Sequence, residues 1–291
     1  MNDRKKQVLL TAKQLFIDNG FQATSIQDIL DEAHISKGTF YNYFSSKNEC
    51  LMAILRDAYY VSFLRRNELA IGKDLTDIEL LSEQIHIRLS MNRQQNLLPL
   101  FETVVHSPDD ELREFVRQMH FRELAWIAKR LSDIYGEDIK AYAFDCASLL
   151  VGFIQHSLNI MKSSSAEEIN TKQLVTFVMQ RMEVVIPDMI ERQSSFLPLD
   201  TVENILTSAE MHPLTQEVLI EKLQLFSQDI PNTNGKQYAL FLLEELSTDS
   251  PRTYLLESVV RSFRQAFEGT EWQLQAIELS AAMWLFIDKT E

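Results

Sequence analysis

Apolar positions recur every three or four residues along almost the whole chain, and no stretch alternates with period two over several residues. This pattern predicts an all-α protein. Leu9, Ala12, Leu15 and Phe16 form one face of a first helix. Gly20 then supplies the left-handed residue that ends it, and Phe21 folds back on Phe16. Thr24 reads as the N-cap of a second helix, with Gln27 completing a capping box, and Ile26, Ile29, Leu30 and Ala33 share its buried face. His34 and Ile35 make a tight turn. Ser36 caps a third, short helix, where Ile35 and Phe40 can staple the entry and Phe40 and Phe44 stand one turn apart. Ser46 with Glu49 makes another capping box and opens a long helix to about Ala70.

The helical period continues beyond. Ile78, Leu81, Ile85 and Leu89 mark a helix over about 75–91, and a shorter one starts or kinks near Pro99. Ser107-Pro108 is expected to open a long helix, with proline in the first helical position. Leu112, Phe115, Met119, Leu124, Ile127 and Leu131 line it, and Gly136 ends it. Two apolar helices follow, over 138–162 and 170–192, separated at Ser163-Ser164-Ser165. Four or five more helices fill residues 196–291. Asp200 is expected to cap one and Pro213 to open another. Pro231-Asn232-Thr233-Asn234-Gly235 reads as a loop. Ser250-Pro251 is expected to start the helix that carries Leu255, Val259, Phe263 and Phe267. The last helix contains Trp272, Leu274, Ile277, Leu279, Met283 and Trp284.

The third helix has the chemistry of a groove reader. Gly38 has no side chain, so a phosphate or a base edge can come close to the backbone. The N–H groups at the helix start favour phosphate. Lys37 and Lys47 bring positive charge, and the hydroxyls of Tyr41 and Tyr43 suit phosphate oxygens. Thr39 can touch a thymine methyl, and Asn42 can pair with adenine. On spacing alone the segment reads equally as an ordinary helical hairpin with a solvated face. Thr24, Ser25, Ser36, Lys37, Gly38, Thr39, Tyr41, Asn42, Tyr43 and Lys47 are the candidate DNA-contacting residues.

The net charge of −14 looks wrong for a DNA binder until it is divided along the chain. Residues 1–66 hold nine Lys/Arg and seven Asp/Glu; the rest hold 19 and 35. The first part is therefore net basic, and the acidic excess lies outside it. An acidic body would weaken non-specific DNA binding, or serve solubility alone. No apolar run approaches a transmembrane span of about 18 uncharged residues, and the first residues lack the apolar core of a signal peptide. Cys50 and Cys146 are the two cysteines. Their places in helical patterns suggest buried thiols in a reducing cytoplasm rather than a disulfide. No P-loop, dinucleotide glycine fingerprint, HExxH or GxSxG is present, so no catalytic residues, metal or cofactor are expected. Glu167-Glu168 and Asp109-Asp110-Glu111 read as acids at helix starts.

Ser36, Lys37, Gly38, Thr39, Phe40, Tyr41, Asn42, Tyr43, Phe44 and Lys47 match the pattern S-K-G-x-[LF]-Y-x-[HY]-F followed by Lys. In this the chain resembles the TetR family of bacterial transcriptional regulators. The resemblance covers about residues 3–63, near a fifth of the chain. One departure is Ala33-His34, where the family usually has Ala-Gly in a turn of positive φ; histidine tolerates that region at some cost.

The resemblance implies a DNA-binding domain over 3–63 with its helix-turn-helix at about 25–44. It implies a helical effector-binding and dimerisation domain over 64–195. Residues 196–291 extend past the usual end of the family, and their role is left open. A helix as apolar on all sides as residues 141–161 must be buried on more than one side. With the helix that follows, this is either domain core or, as the resemblance implies, half of a four-helix bundle shared with a second subunit. The implied protein is a homodimeric repressor on a pseudo-palindromic double-stranded operator, released by a small apolar or amphipathic effector. The alternative is a DNA-binding scaffold controlled by a protein partner through the acidic C-terminal region. Phe101, Met119, His120, Trp126, Phe144, Phe153 and His156 are the candidate effector residues, with Met91, Phe121 and His106 beside them, although any single one of them is more often core or a structural histidine.

Overall fold

The computed structural model describes residues 3–70, 72–105, 107–163, 170–209, 215–231, 233–248 and 250–290. Among these the chain forms α-helices and one short 3-10 turn at Glu137–Ile139, with no strand. The all-α expectation therefore holds. In chain order the helices are α1 (Asp3–Asp18), α2 (Ile26–Glu32), α3 (Lys37–Tyr43), α4 (Lys47–Ala70), α5 (Ile78–Gln94), α6 (Leu98–Val105) and α7 (Asp110–Tyr135). They continue with α8 (Ala143–Ser163), α9 (Thr171–Arg192), α10 (Leu199–Ala209), α11 (Gln216–Asp229), α12 (Asn234–Leu246), α13 (Thr253–Ala266) and α14 (Gln273–Thr290). The expected features at Ser164-Ser165, Glu167-Glu168, Pro213 and Asn232, and the expected pocket residue His106, lie outside the described residues.

The helices sort into two compact units, neither of which is continuous in sequence. One is made of Met1–Ile71, Asn96–His106 and His212–Glu291, the other of Gly72–Gln95 and Ser107–Met211. The C-terminal helices α11–α14 thus share a unit with the N-terminal head.

In the first unit, α1 packs on α2 and α4, and α4 also packs along α14. Phe16 and Phe21 meet edge to face at 5.0 Å after the left-handed Gly20, as the pattern predicted. The second half of α4 is buried by the C-terminal helices: Phe63 and Leu64 join a core with Leu223, Phe226, Leu242, Val260, Phe263 and Met283. At its centre the Phe226 ring meets Phe263, Phe267 and Trp272 edge to face at 5.6, 5.1 and 6.2 Å.

Several expected caps move by a residue or more, each for a visible reason. Thr24 does not cap α2; it is 1% exposed, and its hydroxyl donates to the carbonyls of Leu15 (3.2 Å) and Gly20 (2.9 Å), closing the end of α1. Ser25 caps α2 instead. Its oxygen accepts from the Asp28 N–H at 3.1 Å while the Asp28 carboxylate accepts from the Ser25 N–H at 2.7 Å, a reciprocal capping box. Ser46 accepts from the Glu49 N–H at 3.0 Å, but the Glu49 carboxylate reaches back to the Ser45 N–H. Asp109 caps α7 through the Leu112 N–H at 2.9 Å, which leaves Ser107 and Pro108 ahead of the helix. An ionised acceptor also suits the positive helix start. Pro251 likewise precedes α13, which begins at Thr253.

Asn234 and Gly235 are not loop; they are the first turn of α12. Gly235 sits there because the Phe267 ring lies where a side chain would be: a Cβ would come within 2.5 Å of it. The glycine read as a turn signal is a close approach between helices.

In the second unit, α7 packs on α8 and α10, and α9 packs on α5 and α8. Leu81, Ile85, Leu124, Ile127, Leu150, Val178 and Met182 are at its core. Charged groups lie inside it. Arg88 Nη1 meets Glu123 Oε1 at 2.6 Å, and Arg130 donates to Gln84 (3.2 Å) and Asp133 (2.7 Å). After α9, the buried Asp145 carboxylate accepts from the Ser195 hydroxyl at 2.8 Å and the Phe196 N–H at 3.2 Å, anchoring the segment that leads into α10.

Candidate nucleic-acid interface

The helix-turn-helix is built from α2, the turn and α3. Ile29, Leu30 and Ala33 bury the inner face of α2. His34 sits in the turn with φ 51° and is exposed, so the turn keeps its left-handed residue without a glycine. The Ser36 hydroxyl caps α3 by accepting from the Thr39 N–H at 3.1 Å. Phe40 and Phe44, both buried, have ring centroids 5.6 Å apart and seat α3 on the head.

The opposite face of α3 is polar and aromatic. Lys37, Gly38, Tyr41 and Asn42 are exposed, and Thr39 and Tyr43 are partly so. The Lys37 ammonium lies 6.0 Å from the centre of the Tyr41 ring. Thr39 Oγ1 is 2.9 Å from Ser36 Oγ, so its hydroxyl is engaged at the cap and its methyl is the group left for an apolar contact. A Cβ at Gly38 would meet nothing closer than Ser36 Oγ at 3.8 Å. The chain itself has room for a side chain there, and the open backbone at 38 faces outward.

Of the candidate residues, Ser36 to Tyr43 come together on this one helix, and Ser25 lies at the start of α2. Two others point inward. Thr24 is buried, as described. Lys47 Nζ donates to the carbonyls of Phe21 and Thr24, each at 2.8 Å, and rides 4.4 Å from the Phe21 ring. Burial pushes its pKa down, against the pull of Asp28. Lys5 of α1, which the sequence pattern did not single out, lies 5.1 Å over the buried Phe44 ring, behind α3.

The candidate effector residues do not form one wall. Phe101 is on α6, in the unit of the head. Met119 and Phe144 are buried, and Trp126 packs against the core of the second unit. Phe153 and His156 are exposed on α8. His120 is partly buried; burial lowers its pKa, Arg88 lowers it further and Glu123 opposes them. Cys50 and Cys146 are buried, and burial pushes their thiols up to about 12 and about 11, away from the thiolate form.

Residues 8–54 match the family described as bacterial regulatory proteins, tetR family. Along nearly the whole chain, 23% of residues are identical to the uncharacterized HTH-type transcriptional regulator YerO of Bacillus subtilis, over 98% of each protein. A second Bacillus subtilis regulator, YuxN, is 26% identical over 91% of this chain and 94% of its own. The HTH-type transcriptional repressor KstR2 of Mycolicibacterium smegmatis is 39% identical over 54 residues, 19% of this chain and 26% of its own. No solved structure matches the chain. The long relatives extend through the C-terminal helices, so that region is shared rather than peculiar to this chain. With an outward α3 on an intact helix-turn-helix and these matches, the chain carries over residues 8–54 the DNA-binding segment of the tetR family of bacterial regulatory proteins.

Proposed function

We propose that the protein is a homodimeric repressor that reads a pseudo-palindromic operator through α3 and is released by a small apolar or amphipathic molecule. The observation that carries the DNA reading is the face of α3, where Lys37, Tyr41 and Asn42 stand exposed beside an open Gly38 backbone while Phe40 and Phe44 hold the helix from behind. Thr39 and Asn42 are assigned to the groove, and Ser25, Ser36, Lys37, Tyr41 and Tyr43 to phosphates. Thr24 and Lys47 act by holding the start of α2.

The dimer reading is supported by α8 and α9. Leu149, Phe153 and Ile160 on α8 and Phe177 and Val184 on α9 are exposed, Val184 at 72%. The Phe153 and Phe177 rings meet edge to face at 5.9 Å. An exposed apolar face of this extent on two adjacent helices is the usual mark of an interface. A second copy gives each operator half-site its own α3.

An amphipathic effector is proposed for the unit of α7, which carries the buried Arg88–Glu123 pair and the partly buried His120 in an otherwise apolar core. The proposed sign of control is that of KstR2 and NemR, named repressors similar over the head, whereas the activator FasR is similar there too. Control by a protein partner through the C-terminal region is the second reading, favoured by α11–α14 sharing the head's unit. The two buried free thiols, Cys50 and Cys146, fit the proposed action in a reducing cytoplasm.

Selection of bound DNA from a random pool, using the full chain, tests this. The expected product is a two-fold symmetric site with half-sites about one helical turn apart. Recovery of no preferred sequence, or a monomer by sedimentation at micromolar concentration, overturns it. Val184→Glu with Phe153→Glu should give that monomer. A promoter fusion reads the sign, and release of bound DNA by apolar compounds rather than by a lysate protein separates the two readings.

A further inference from the structure

Helix α4 carries two sets of contacts on one stiff rod. At its first residue, Lys47 donates to the Phe21 and Thr24 carbonyls, at 2.8 Å each, and so holds the entry to α2. Roughly 30 Å further on, at about 1.5 Å per residue, Glu68 is gripped from the C-terminal helices. Its carboxylate accepts from Arg264 Nε at 2.8 Å and Nη2 at 3.1 Å, and its backbone carbonyl accepts from Arg261 Nη2 at 2.7 Å. The Arg264 and Glu68 side chains are only 8% and 10% exposed. Between these ends, Phe63 and Leu64 sit in a core whose other members belong to α11–α14. A third link ties α1 to the same helices: Lys6 Nζ donates to Gln273 Oε1 at 3.4 Å.

We infer that α11–α14 form a control module for DNA binding, with Arg264, Arg261 and Glu68 as positioning residues that fix α4 and, through it, the helix-turn-helix. Arg65 lies 3.6 Å from the Glu68 carboxylate and Glu268 3.7 Å from the Arg264 guanidinium, both more exposed, so each charge has an alternative partner when the two-pronged pair opens. The seam can therefore exchange between a closed arrangement, Glu68 with Arg264, and an open one, Glu68 with Arg65 and Arg264 with Glu268. If α3 reads DNA only when the seam is made, the apparent dissociation constant is the intrinsic one divided by the fraction of chains in that state. Any agent that loosens or tightens α11–α14 then changes DNA affinity without touching a DNA-contacting residue. This input is separate from an effector in the unit of α5 and α7–α10.

The test uses the full chain and the DNA recovered by the random-pool selection, on which the inference rests for its affinity readout. Arg264→Glu should bind that DNA about tenfold or more weakly at a temperature where circular dichroism shows it folded. Its salt dependence should match that of the parent, because no phosphate contact is lost. The exchanged pair, Glu68→Arg with Arg264→Glu, should recover affinity. A merely structural seam would lower the melting temperature and leave affinity unchanged, and that result overturns the inference. If Arg264→Glu does not fold, Arg261→Met removes the bond to the Glu68 carbonyl and keeps the ion pair. It should weaken binding about threefold with the same salt slope; parental affinity there overturns the inference equally. Amide exchange of residues 26–43 gives a readout without DNA. It should quicken in both variants, and unchanged exchange refutes the coupling even if the parent selects no DNA, a failure that would count against the DNA reading itself.

Discussion

The Lys47 ammonium donates to the Thr24 carbonyl at 2.8 Å, tying the first residue of α4 to the segment that enters α2. With the Phe21 carbonyl it commits two of its three N–H donors to the chain's own backbone. Lys37, on α3, is exposed. The two lysines of the motif therefore act differently. Lys47→Met should destabilise the protein by about 1–2 kcal/mol, the cost of removing a charged donor from two carbonyls. Lys37→Met should leave stability within about 0.5 kcal/mol and lower the salt slope of DNA binding by about one. Denaturant titration and salt-dependent binding check both, and an unchanged slope for Lys37→Met would remove it from the phosphate contacts.

Thr39 and Asn42 lie on the outward face of α3, and Thr39 Oγ1 is already engaged with Ser36 Oγ. Thr39→Val keeps a methyl and should hold the preference at its base pair, whereas Thr39→Gly should relax it. Asn42→Ala should cost about 1–3 kcal/mol of discrimination at one position. Repeating the pool selection with each variant reads this directly. Uniform weakening across all positions would make these residues positioning groups instead of readers.

Asp57 of α4 faces Glu278 of α14 and Lys6 and Lys13 of α1. Burial first, and Glu278 second, raise its carboxyl from the usual 3.8 to about 6, while the two lysines oppose them. The folded value lies above the unfolded one. The group's stabilising contribution is therefore full below about pH 4 and is lost as pH rises through about 6. Asp57→Asn should raise stability by roughly 1–2 kcal/mol at pH 8 and by little near pH 4. Denaturant midpoints across that range check it; a difference independent of pH would show that Asp57 is not charged at a cost.

Gly235 and Phe267 approach so closely that a Cβ would lie 2.5 Å from the ring. Gly235→Ala should destabilise the protein by about 1–3 kcal/mol through overpacking, with the denaturant slope unchanged. Phe267→Leu in the same chain should recover part of the loss. A Gly235→Ala protein as stable as the parent would mean that the ring moves aside freely.

The N-terminal head was the most legible part of the chain, because its information is local. Gly20, Ser36 and the Phe40–Phe44 pair act within one or two turns, and the left-handed His34 was legible only through the resemblance, which has glycine at that place. The errors came where a side chain had a choice of partners. Thr24 and Ser25 are both good caps, and the carbonyls at the end of α1 took the threonine. Lys47 reads as a phosphate contact in a linear motif, and only the folded path of the chain brings the Phe21 and Thr24 carbonyls to it. The grouping of α4 with α11–α14 could not be read at all. Phe63 and Leu64 are apolar residues at helical spacing, and nothing in that spacing names the helices that cover them. The same holds for the scattered effector candidates, whose aromatic and sulfur-bearing side chains look alike whether they line a cavity or fill one.

Glu68 and Arg264 lie 196 positions apart in sequence. A ribosome delivers the N-terminal helices first, yet the second half of α4 has no covering core until α11–α14 have emerged. The order of synthesis and the order of completion are thus opposed: the part that meets DNA is made first and finished last. A polypeptide cut short before α13 holds the whole reading motif and still presents Phe63 and Leu64 to water.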